Sequence, residues 1–394
     1  MQDTDPSTFD VTRPLAGIRA LEMGSSVAGP HAGWVLSELG AEVLKLEDPV
    51  TGDATRTWGE KVANGHSAIF ETLNNGKKSL AVDLKNSQHI EAVKTLVVEQ
   101  IDVVLQNLRP GFADRCGIGQ ADLIAAKPAL IYCDMGAYGK GGALSALPGY
   151  DPLMQGFTGI AEGTGSAETP ARVCTPVTDF VTGMWCVVGI LSALQRRHQM
   201  GRGGAVDVSL MESGIGLMTM FVGLYQATGK RPERNGLQGP LVAPNGGFQT
   251  RDGLVMIVCG TNALFARLCR GLALEELLDD ERFASSTSRH TYRHALREAL
   301  ELALMKETRD HWMNVLGDAG VPIAPVHHVD EMMSHPQAQA VDILQTLPEE
   351  ARAGNATFTT ARLPIRFDGE RRPYTARGPA LGEHNREFLP NLED

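Results

Sequence analysis

The sequence lacks clustered cysteines, is poor in aromatic residues and carries an excess of negative charge. Its six cysteines form no C-x-x-C pair and no Cys/His cluster with zinc spacing, so we expect reduced, mostly buried thiols and no metal site. Aromatic residues make up 6% of the chain and the formal net charge is -11. Contacts to nucleic-acid phosphates need clustered Lys and Arg, so the composition argues against a nucleic-acid partner.

Targeting and membrane signals are missing as well. The first ten residues, MQDTDPSTFD, are polar and acidic and contain no basic segment followed by an apolar one, which argues against a signal peptide. No uncharged apolar run reaches the roughly 18 residues that a membrane helix needs. We therefore expect a cytoplasmic protein with no membrane partner.

The first half of the chain alternates between strand-like and helical patterns. The segments 18–23, 41–47, 102–107 and 129–135 read as short buried strands, and helical spacing separates them. Such alternation predicts an α/β fold, a Rossmann-like doubly wound sheet with ligands in the loops at the carboxyl ends of its strands.

A smaller domain follows this large domain. With 394 residues the chain is long enough for two domains. Asp252-Gly253 between two strand-like runs predicts a hairpin, and two helices follow it. We predict a large domain over 1–200, rejoined by 331–394, a linker helix region over 201–224, and a small α+β domain over 225–330. The Pro-, Gly- and Arg-rich tail is expected to be an ordered irregular segment that lies on another part of the fold.

Several common catalytic motifs are absent. The loop after the first strand carries Gly24 and Gly29 but no G-x-G-x-x-G pattern, which argues against a dinucleotide site although Glu47 closes the second strand. There is no Walker A loop and no G-x-S-x-G elbow. We interpret His31 as a structural residue of the first helix. The pair His327-His328 lacks the acidic or Cys partners of a metal site.

One carboxylate stands out at the head of an apolar helix in CTPVTDFVTGMWCVVGILSALQRRHQMGRG, residues 174–203. Asp179 has a plain structural interpretation, because aspartate is a preferred helix N-cap and suits the positive end of the helix dipole. The same setting is expected to keep the carboxylate ionised, and an ionised carboxylate in apolar surroundings is a usable nucleophile. The pattern alone favours the cap.

Blocks distributed over almost the whole chain resemble the class III CoA-transferases, the family of formyl-CoA transferase, carnitine CoA-transferase and α-methylacyl-CoA racemase. They include LAGIRALEMGSSVAGPHAGWVLSELGAEVLKLEDPVTGDATR, LNNGKKSLAVDLKN, VVLQNLRPGFADRCGIG, GYDPLMQGFTGIAEGTG, FQTRDGLVMI, AGVPIAPVHHVDEMMSHPQ and GPALGEHN. The resemblance implies an interlocked homodimer, in which each chain forms a ring threaded by the other.

The resemblance also implies a covalent mechanism. In these transferases an aspartate at the head of this helix attacks the thioester of a donor acyl-CoA, and Asp179 is the matching residue. An aspartyl anhydride and then an aspartyl-CoA thioester form, and the free acid acceptor takes the CoA. The enzyme needs no permanently bound cofactor, and the coenzyme A ester is a substrate. Tyr150 and Asp151 match family residues close to the thioester.

Further site residues follow from the same resemblance. The positions that match CoA contacts in the family are Val27, Val82, Lys85, Asn107, Leu108 and Arg115. Lys85 and Arg115 are otherwise plain surface charges. Gly246 and Gly247 in PNGGFQ are expected either to form a mobile cover over the active site or to be the entry of a hairpin.

Two departures from formyl-CoA transferase concern the substrate. Val27 stands where that enzyme has a glutamine, and Asp48 where it has an arginine, which argues against oxalate and formyl-CoA as the native pair. Succinyl-CoA as donor and a small dicarboxylate as acceptor are expected from the family. Lys230, Arg231 and Arg234 are candidate cations for a second carboxylate, with an exposed charged turn around Pro232 as the structural alternative.

Two other functions remain as alternatives. The racemases of the family have a histidine where Tyr150 lies, and a tyrosine with a reference pKa of about 10 is a poor base at neutral pH. This difference favours transfer over racemisation or epimerisation. A non-catalytic acyl-CoA-binding protein is the alternative from another class, and the presence of Asp179 argues against it.

Overall fold

The computed structural model describes residues 10–62, 65–346, 358–373 and 376–392. Eleven strands lie within these residues: β1 Arg19–Met23, β2 Glu42–Glu47, β3 Lys78–Ala81, β4 Val103–Gln106, β5 Ile131–Gly136, β6 Gly204–Ser209, β7 Asn245–Gln249, β8 Leu254–Val258, β9 Ile323–Pro325, β10 Leu344–Thr346 and β11 Thr359–Ala361.

The described residues also contain seventeen α-helices and some short 3-10 turns. The helices are α1 Ala28–Glu38, α2 Ala68–Asn74, α3 Ser87–Gln100, α4 Phe112–Arg115, α5 Gln120–Ala126, α6 Asp151–Phe157, α7 Ile160–Gly163, α8 Val177–Met200, α9 Leu210–Leu217, α10 Thr219–Thr228, α11 Asn262–Gly271, α12 Ser286–Thr291, α13 Arg293–Leu304, α14 Arg309–Asp318, α15 Val329–Ser334, α16 Pro336–Ala340 and α17 Asn385–Phe388.

The six strands β1 to β6 form one sheet in the order β3-β2-β1-β4-β5-β6, and every neighbouring pair is parallel. The α/β prediction is therefore confirmed. Strand β3 was not predicted, because Lys78-Ser79-Leu80-Ala81 is short and has only one large apolar side chain. The strand order changes direction between β1 and β4, where such sheets bind ligands.

Both faces of the sheet are covered, which makes the sheet doubly wound. Alternate residues of β4 point to opposite faces, and Val103, Val104 and Leu105 are all fully buried. One apolar cluster joins one sheet face to α1 and α8, and a second joins the other face to α3 and α5. This arrangement leaves the carboxyl edge of the strands to the connecting loops.

Helix α8 is the longest helix of the described chain. It is the one helix there that is long and apolar enough to cross a membrane by length and composition, with 39% of that stretch buried. Its buried side, including Cys186, Val187 and Ile190, packs on the core beside α1 and β5. Its C-terminus is closed by Gly201 with a φ of +69°, and this left-handed cap is the stop signal that the sequence predicts.

A three-stranded antiparallel sheet in the order β7-β8-β9 forms the centre of a second compact unit. The predicted hairpin is confirmed as β7 and β8. The apolar sides of α11, α13 and α14 pack on this sheet around Phe248, Leu300 and Leu316. The unit is therefore of the α+β type.

Contacts group the described chain into these two units. The first comprises the residues up to Ile160, Val173–Met220 and the residues from Ala338, and the second comprises Ala161–Arg172 and Phe221–Gln337. The predicted boundaries, 1–200 with 331–394, 201–224 and 225–330, differ from this grouping in detail. In particular, β6 completes the large sheet from within the segment predicted as a linker.

The C-terminal tail lies along the edge strand β3. Asn385 donates to the carbonyl of Ala81 at 3.0 Å and accepts its N–H at 2.8 Å. The Ser79 carbonyl accepts the N–H of His384 at 3.0 Å. Residues more than 300 positions apart in the sequence thus complete this edge, as the prediction of an ordered tail requires.

Candidate active site

Most of the predicted site residues meet at one edge of the large sheet. Val27 follows β1, Val82 and Lys85 follow β3, Asn107, Leu108 and Arg115 follow β4, and Tyr150 and Asp151 follow β5. Asp179 lies in the first turn of α8, the helix that leads back to β6. It is at the same edge because α8 runs antiparallel to the strands. The carboxyl edge of a parallel sheet is where α/β proteins bind their ligands.

Asp151 holds the beginning of α8. Its buried carboxylate accepts the backbone N–H of Thr178 at 2.8 Å and the Thr178 hydroxyl at 2.7 Å. The other carboxylate oxygen accepts from the Gln155 amide at 2.8 Å. The first turn of a helix has free N–H groups, and here a side chain from α6 satisfies one of them. Asp151 therefore fixes the position of the residue next to Asp179.

Asp179 is not the N-cap of α8, and the prediction of a capping aspartate is wrong. The helix begins after Pro176, without a side-chain cap, and Asp179 is its third residue. Asp151 has taken the capping role from outside the helix. The Asp179 carboxylate is partly buried, and no hydrogen bond or ion pair to another described residue stabilises its charge.

The charge state of Asp179 also differs from the prediction. Burial, and then the negative charge of Asp151, raise the pKa of the Asp179 carboxyl to about 7. The expectation of a permanently ionised carboxylate is therefore wrong, because desolvation and a neighbouring acid outweigh the helix end. A carboxylate with a pKa near 7 is only partly ionised at neutral pH, but it is a stronger nucleophile when ionised.

Two rings lie on segments that adjoin the beginning of α8: His31 of α1 contacts the residue after Asp179, and Tyr150 precedes α6. His31 is buried, and its ring contacts the Phe180 ring edge-on at 4.6 Å between centroids. Burial and the charge of Lys77 lower the pKa of His31 to about 4, so it is a neutral structural residue, as predicted. Tyr150, the residue before α6, is 62% exposed.

The loop after β1 is joined to β4 by Asn107. Its carboxamide accepts the Ser25 N–H and donates to the Ser25 carbonyl, both at 3.0 Å. Val27 and Val82 are buried in the hydrophobic core. Since its carboxamide is already engaged with Ser25, the Asn107 side chain shapes the loop of Val27.

The two predicted CoA-binding cations are accessible. Lys85 and Arg115 are both exposed, and the Arg115 guanidinium lies over the Phe112 ring. Asp48 accepts the N–H groups of Val50 and Thr51 at 2.9 Å. These hydrogen bonds, and to a smaller extent the charge of Lys85, lower the pKa of Asp48. The carboxylate that replaces the family arginine is therefore a turn-forming residue.

Gly246 and Gly247 lie within strand β7 of the second unit and are buried. A Cβ atom on either glycine would approach Leu237 or Gln238 to about 2.6 Å. The close approach of residues 237–238 explains why glycine is needed at both positions. Of the two interpretations of these glycines, the structure agrees with the hairpin, because both residues are packed within strand β7.

Arg234 is engaged within the second unit. It lines a cavity of about 270 Å³ with Arg293 and Arg297. Arg234 forms an ion pair with Glu162 at 2.6 Å and also donates to three backbone carbonyls. The other two guanidinium groups pair with Glu233 and Glu301. Lys230 and Arg231 are exposed, as the structural alternative predicts.

The residue Gln155 was missed in the sequence. It is fully buried, donates to Asp151, and accepts the Val173 N–H at 2.9 Å. The sequence does contain a signal for Gln155: Asp151 and Gln155 are four residues apart, a spacing that places both on the same side of a helix. A four-residue spacing of two polar groups in an apolar helix is a usable marker of a buried hydrogen bond.

The geometry defines the class of the protein: a doubly wound α/β protein with a partly buried carboxylate, Asp179, at the carboxyl edge of its sheet and no partner for it among the described residues. Residues 15–385 match the family described as CoA-transferase family III. Among the described residues no group of His, Cys, Asp and Glu could hold a metal ion. The chain belongs to this family and is a family III CoA-transferase.

Individual relatives and one solved structure agree with the family. The acetyl-CoA:oxalate CoA-transferase of Acetobacter aceti is 34% identical over 94% of this chain and 93% of its own length. The succinyl-CoA:glutarate CoA-transferase of Mus musculus is 30% identical over 98% of this chain and 88% of its own length. The crystal structure of a CAIB/BAIF family protein from Brucella suis has a TM-score of 0.85 and 33% identity, and the match covers 97% of this chain and all of that one.

The raised pKa of Asp179 predicts a gain in stability when its charge is removed. The folded carboxyl titrates at about 7 and the unfolded one at its ordinary value of 3.8. The folded state therefore binds more protons between these values, and stability is lost as the pH rises through this range. We expect Asp179→Asn to raise the free energy of unfolding by about 2 kcal/mol at pH 8, with no gain at pH 3.5, in urea titrations.

A matched control is Asp310→Asn, which changes an exposed aspartate in the first turn of α14. Its stability is expected to change by only a few tenths of a kcal/mol. If Asp179→Asn gave no gain in stability at pH 8, the raised pKa of Asp179 would be contradicted.

Proposed function

We propose that this enzyme transfers CoA from an acyl-CoA donor, succinyl-CoA, to a small dicarboxylate through covalent intermediates on Asp179. The observation that carries the proposal is the Asp179 carboxylate itself. It lies at the ligand-binding edge of the sheet, no cation among the described residues pairs with it, and its pKa of about 7 lies close to neutral pH. A carboxylate in a purely structural role is normally paired or hydrogen-bonded.

The proposed reaction is a series of acyl substitutions, each at a single carbonyl carbon. An ionised Asp179 oxygen attacks the thioester carbon of the donor, the C–S bond breaks, and CoA leaves as a thiolate. The thiolate then attacks the aspartyl carbonyl of the mixed anhydride, and the donor acid leaves as a carboxylate. The acceptor carboxylate repeats both steps in reverse. No proton and no electron are transferred, so the chemistry requires no cofactor beyond CoA.

The neighbours of Asp179 fit this sequence of steps. Asp151 fixes the first turn of α8, so the nucleophile is held on a rigid element. The charge of Asp151 raises the pKa of Asp179 and with it the reactivity of the ionised form. We propose that the Tyr150 hydroxyl, which is accessible, contacts the thioester end of the substrate.

The acyl-CoA is proposed to lie along the loops that follow β1, β3 and β4. Lys85 and Arg115 are accessible cations for its phosphates. Leu108 offers an apolar contact, the buried Val27 and Val82 support the loops from the core, and Asn107 shapes the loop of Val27. The choice of succinyl-CoA is supported by the name of the Mus musculus relative, a succinyl-CoA:glutarate CoA-transferase. The choice of a dicarboxylate is supported by that name and by the name of the Acetobacter aceti relative, whose donor is acetyl-CoA and whose acceptor is oxalate.

A homodimer, interlocked as in the resemblance, is proposed as the working form, in the cytoplasm and without a membrane or nucleic-acid partner. In support, α8 has an apolar stripe on its outer side. The side chains of Met184, Trp185, Val188 and Leu191 are between 37% and 53% exposed. An apolar stripe of this kind normally marks a contact surface.

Removal of the nucleophile is expected to abolish transfer and leave CoA binding intact. Asp179→Ala and Asp179→Asn should both lower kcat at least 1,000-fold, because no anhydride can form, while the Kd for CoA changes less than threefold. Hydroxylamine added to the wild type with succinyl-CoA should convert the aspartyl thioester into a hydroxamate at residue 179, which peptide mass spectrometry detects. A hydroxamate on another residue would reassign the nucleophile.

The acceptor preference is expected to follow the second carboxylate. With succinyl-CoA as donor, glutarate should give a kcat/KM at least tenfold above butyrate, its monocarboxylate counterpart, when CoA-ester formation is measured by chromatography. Equal rates would remove the dicarboxylate assignment. If no acid accepts CoA but a 2-methylacyl-CoA exchanges its α-proton with deuterated water, the enzyme is a racemase.

The dimer is tested by sedimentation equilibrium at decreasing concentration. We expect a single species of twice the 42.3 kDa chain mass down to nanomolar concentrations, because interlocked chains cannot separate without unfolding. A folded monomer at low concentration would contradict the interlocked arrangement. In denaturant, Trp185→Ser is expected to let the dimer dissociate once the chains are partly unfolded. Trp58→Ser changes an exposed tryptophan outside the stripe and is not expected to have this effect.

A further inference from the structure

The loop between β1 and α1, residues 24–27, contains a strained residue. Ser26 has a φ of +73°. Residues with a Cβ atom rarely adopt this left-handed conformation, because the Cβ atom crowds the following backbone. Such strain persists only where surrounding groups hold the backbone in place. The contacts of the loop should therefore show what holds it.

Side chains from outside the loop bind its backbone on both sides of the strained residue. The Nζ atom of Lys45 donates to the carbonyl of Gly24 at 3.0 Å. The Oδ1 atom of Asp53 accepts the N–H of Ser26 itself at 3.3 Å. The Asn107 carboxamide holds the residue between them. Three successive residues of the loop are thus fixed by groups that are distant in the sequence.

Two of these groups belong to one buried charge network. The Oδ2 atom of Asp53 forms an ion pair with Lys45 at 2.7 Å, and Lys45 forms a second one with Glu22 at 2.7 Å. Glu22 pairs in turn with Lys77 at 2.6 Å, and Lys77 donates to the carbonyl of Pro30 in α1. All four side chains are fully buried, so solvent does not weaken these pairs.

Stability of the fold alone does not explain residue 26. A glycine at this position would adopt the same backbone conformation without strain, and the charge network would be unchanged. Strained residues are typical of ligand sites, where the surrounding structure determines their conformation. The loop follows β1, next to the point where the strand order changes direction, which is the ligand crevice of this fold.

We propose that Asp53 is a positioning residue: together with Lys45 it holds the β1–α1 loop in its strained conformation and so presets the loop to receive CoA. The inference rests on the proposed function, since it takes this loop as part of the acyl-CoA site. It adds Asp53, Lys45 and Glu22 to the residues on which substrate binding depends, although none of them needs to contact the substrate.

The test is a double-mutant cycle between Asp53→Asn and Ser26→Gly, read as the Kd for CoA by calorimetry and as the KM for succinyl-CoA. With serine at position 26, Asp53→Asn should raise both constants five- to tenfold, with kcat within twofold, because the ion pair between Asp53 and Lys45 that holds both groups against the strained loop is lost. In the Ser26→Gly background the same substitution should raise them less than twofold, because glycine needs no restraint to keep this conformation.

Two further variants complete the design. Glu71→Gln removes another fully buried carboxylate of the same unit that does not contact the loop, and its effect should be the same with either residue at position 26. If Asp53→Asn does not fold, Lys45→Met combined with Asp53→Asn removes one positive and one negative charge and leaves Glu22 paired with Lys77. This pair of changes should also weaken CoA binding only when residue 26 is serine.

The outcomes separate the two proposals. If wild-type protein binds CoA but the effect of Asp53→Asn is equal in both backgrounds, or absent from both, Asp53 is not a positioning residue. If the wild type binds no CoA, the proposed function fails, and this inference fails with it. A Kd that depends on Asp53 only in the presence of Ser26 supports the inference even when the acceptor acid is still unidentified.

Discussion

The hydrogen bonds from Thr178 to the Asp151 carboxylate are the contacts on which the candidate site depends. They fix the beginning of α8 relative to α6, and they place a second acid near Asp179 with no compensating base among the described residues. Burial and the charge of Asp151 together raise the pKa of Asp179, so Asp151 affects both the position and the basicity of this carboxylate. A free helix end would normally attract a capping side chain from its own chain segment. Here Asp151 takes over that task from outside the helix, and the Asp179 carboxylate has no hydrogen-bond or ion-pair partner among the described residues.

The large unit contains two arrangements of buried charged groups, one compensated and one not. Under the loop of residues 24–27, Glu22, Asp53 and Glu47 meet Lys45, Lys77 and Arg56, so acids and bases are equal in number and the charges compensate one another. At the head of α8 two acids meet without a base. The first arrangement keeps backbone in place. The pair of Asp151 and Asp179 disfavours the folded state at high pH. Such a loss of stability is common at the active sites of enzymes.

Much of the fold was readable from local patterns, whereas the chemistry of the site was not. Strands such as Val103–Gln106 are short apolar runs between helical segments, and a parallel sheet follows from that alternation. Strand β3 was not predicted, because Lys78 and Ser79 resemble the residues of a surface turn. The edge of this strand is completed by His384 and Asn385 of the distant tail. The acidity of Asp179 could not be read either, because it depends on Asp151, 28 residues earlier in the chain, and on burial by the folded core. The family resemblance identified Asp179 as a candidate residue. Only the structure explains why its carboxyl is partly protonated at neutral pH, since the raised pKa comes from burial and from Asp151.

The attachment of the tail to β3 has a consequence for biosynthesis. The strand whose edge the tail covers is synthesised about 300 residues before the residues that cover it. Until then the nascent sheet has an unpaired edge, and uncovered edges are templates for association with other chains. Contacts that span 304 positions also make closure of this unit slow relative to local folding. The chain is thus expected to depend most on chaperone protection during the interval between the emergence of Ala81 and that of Asn385.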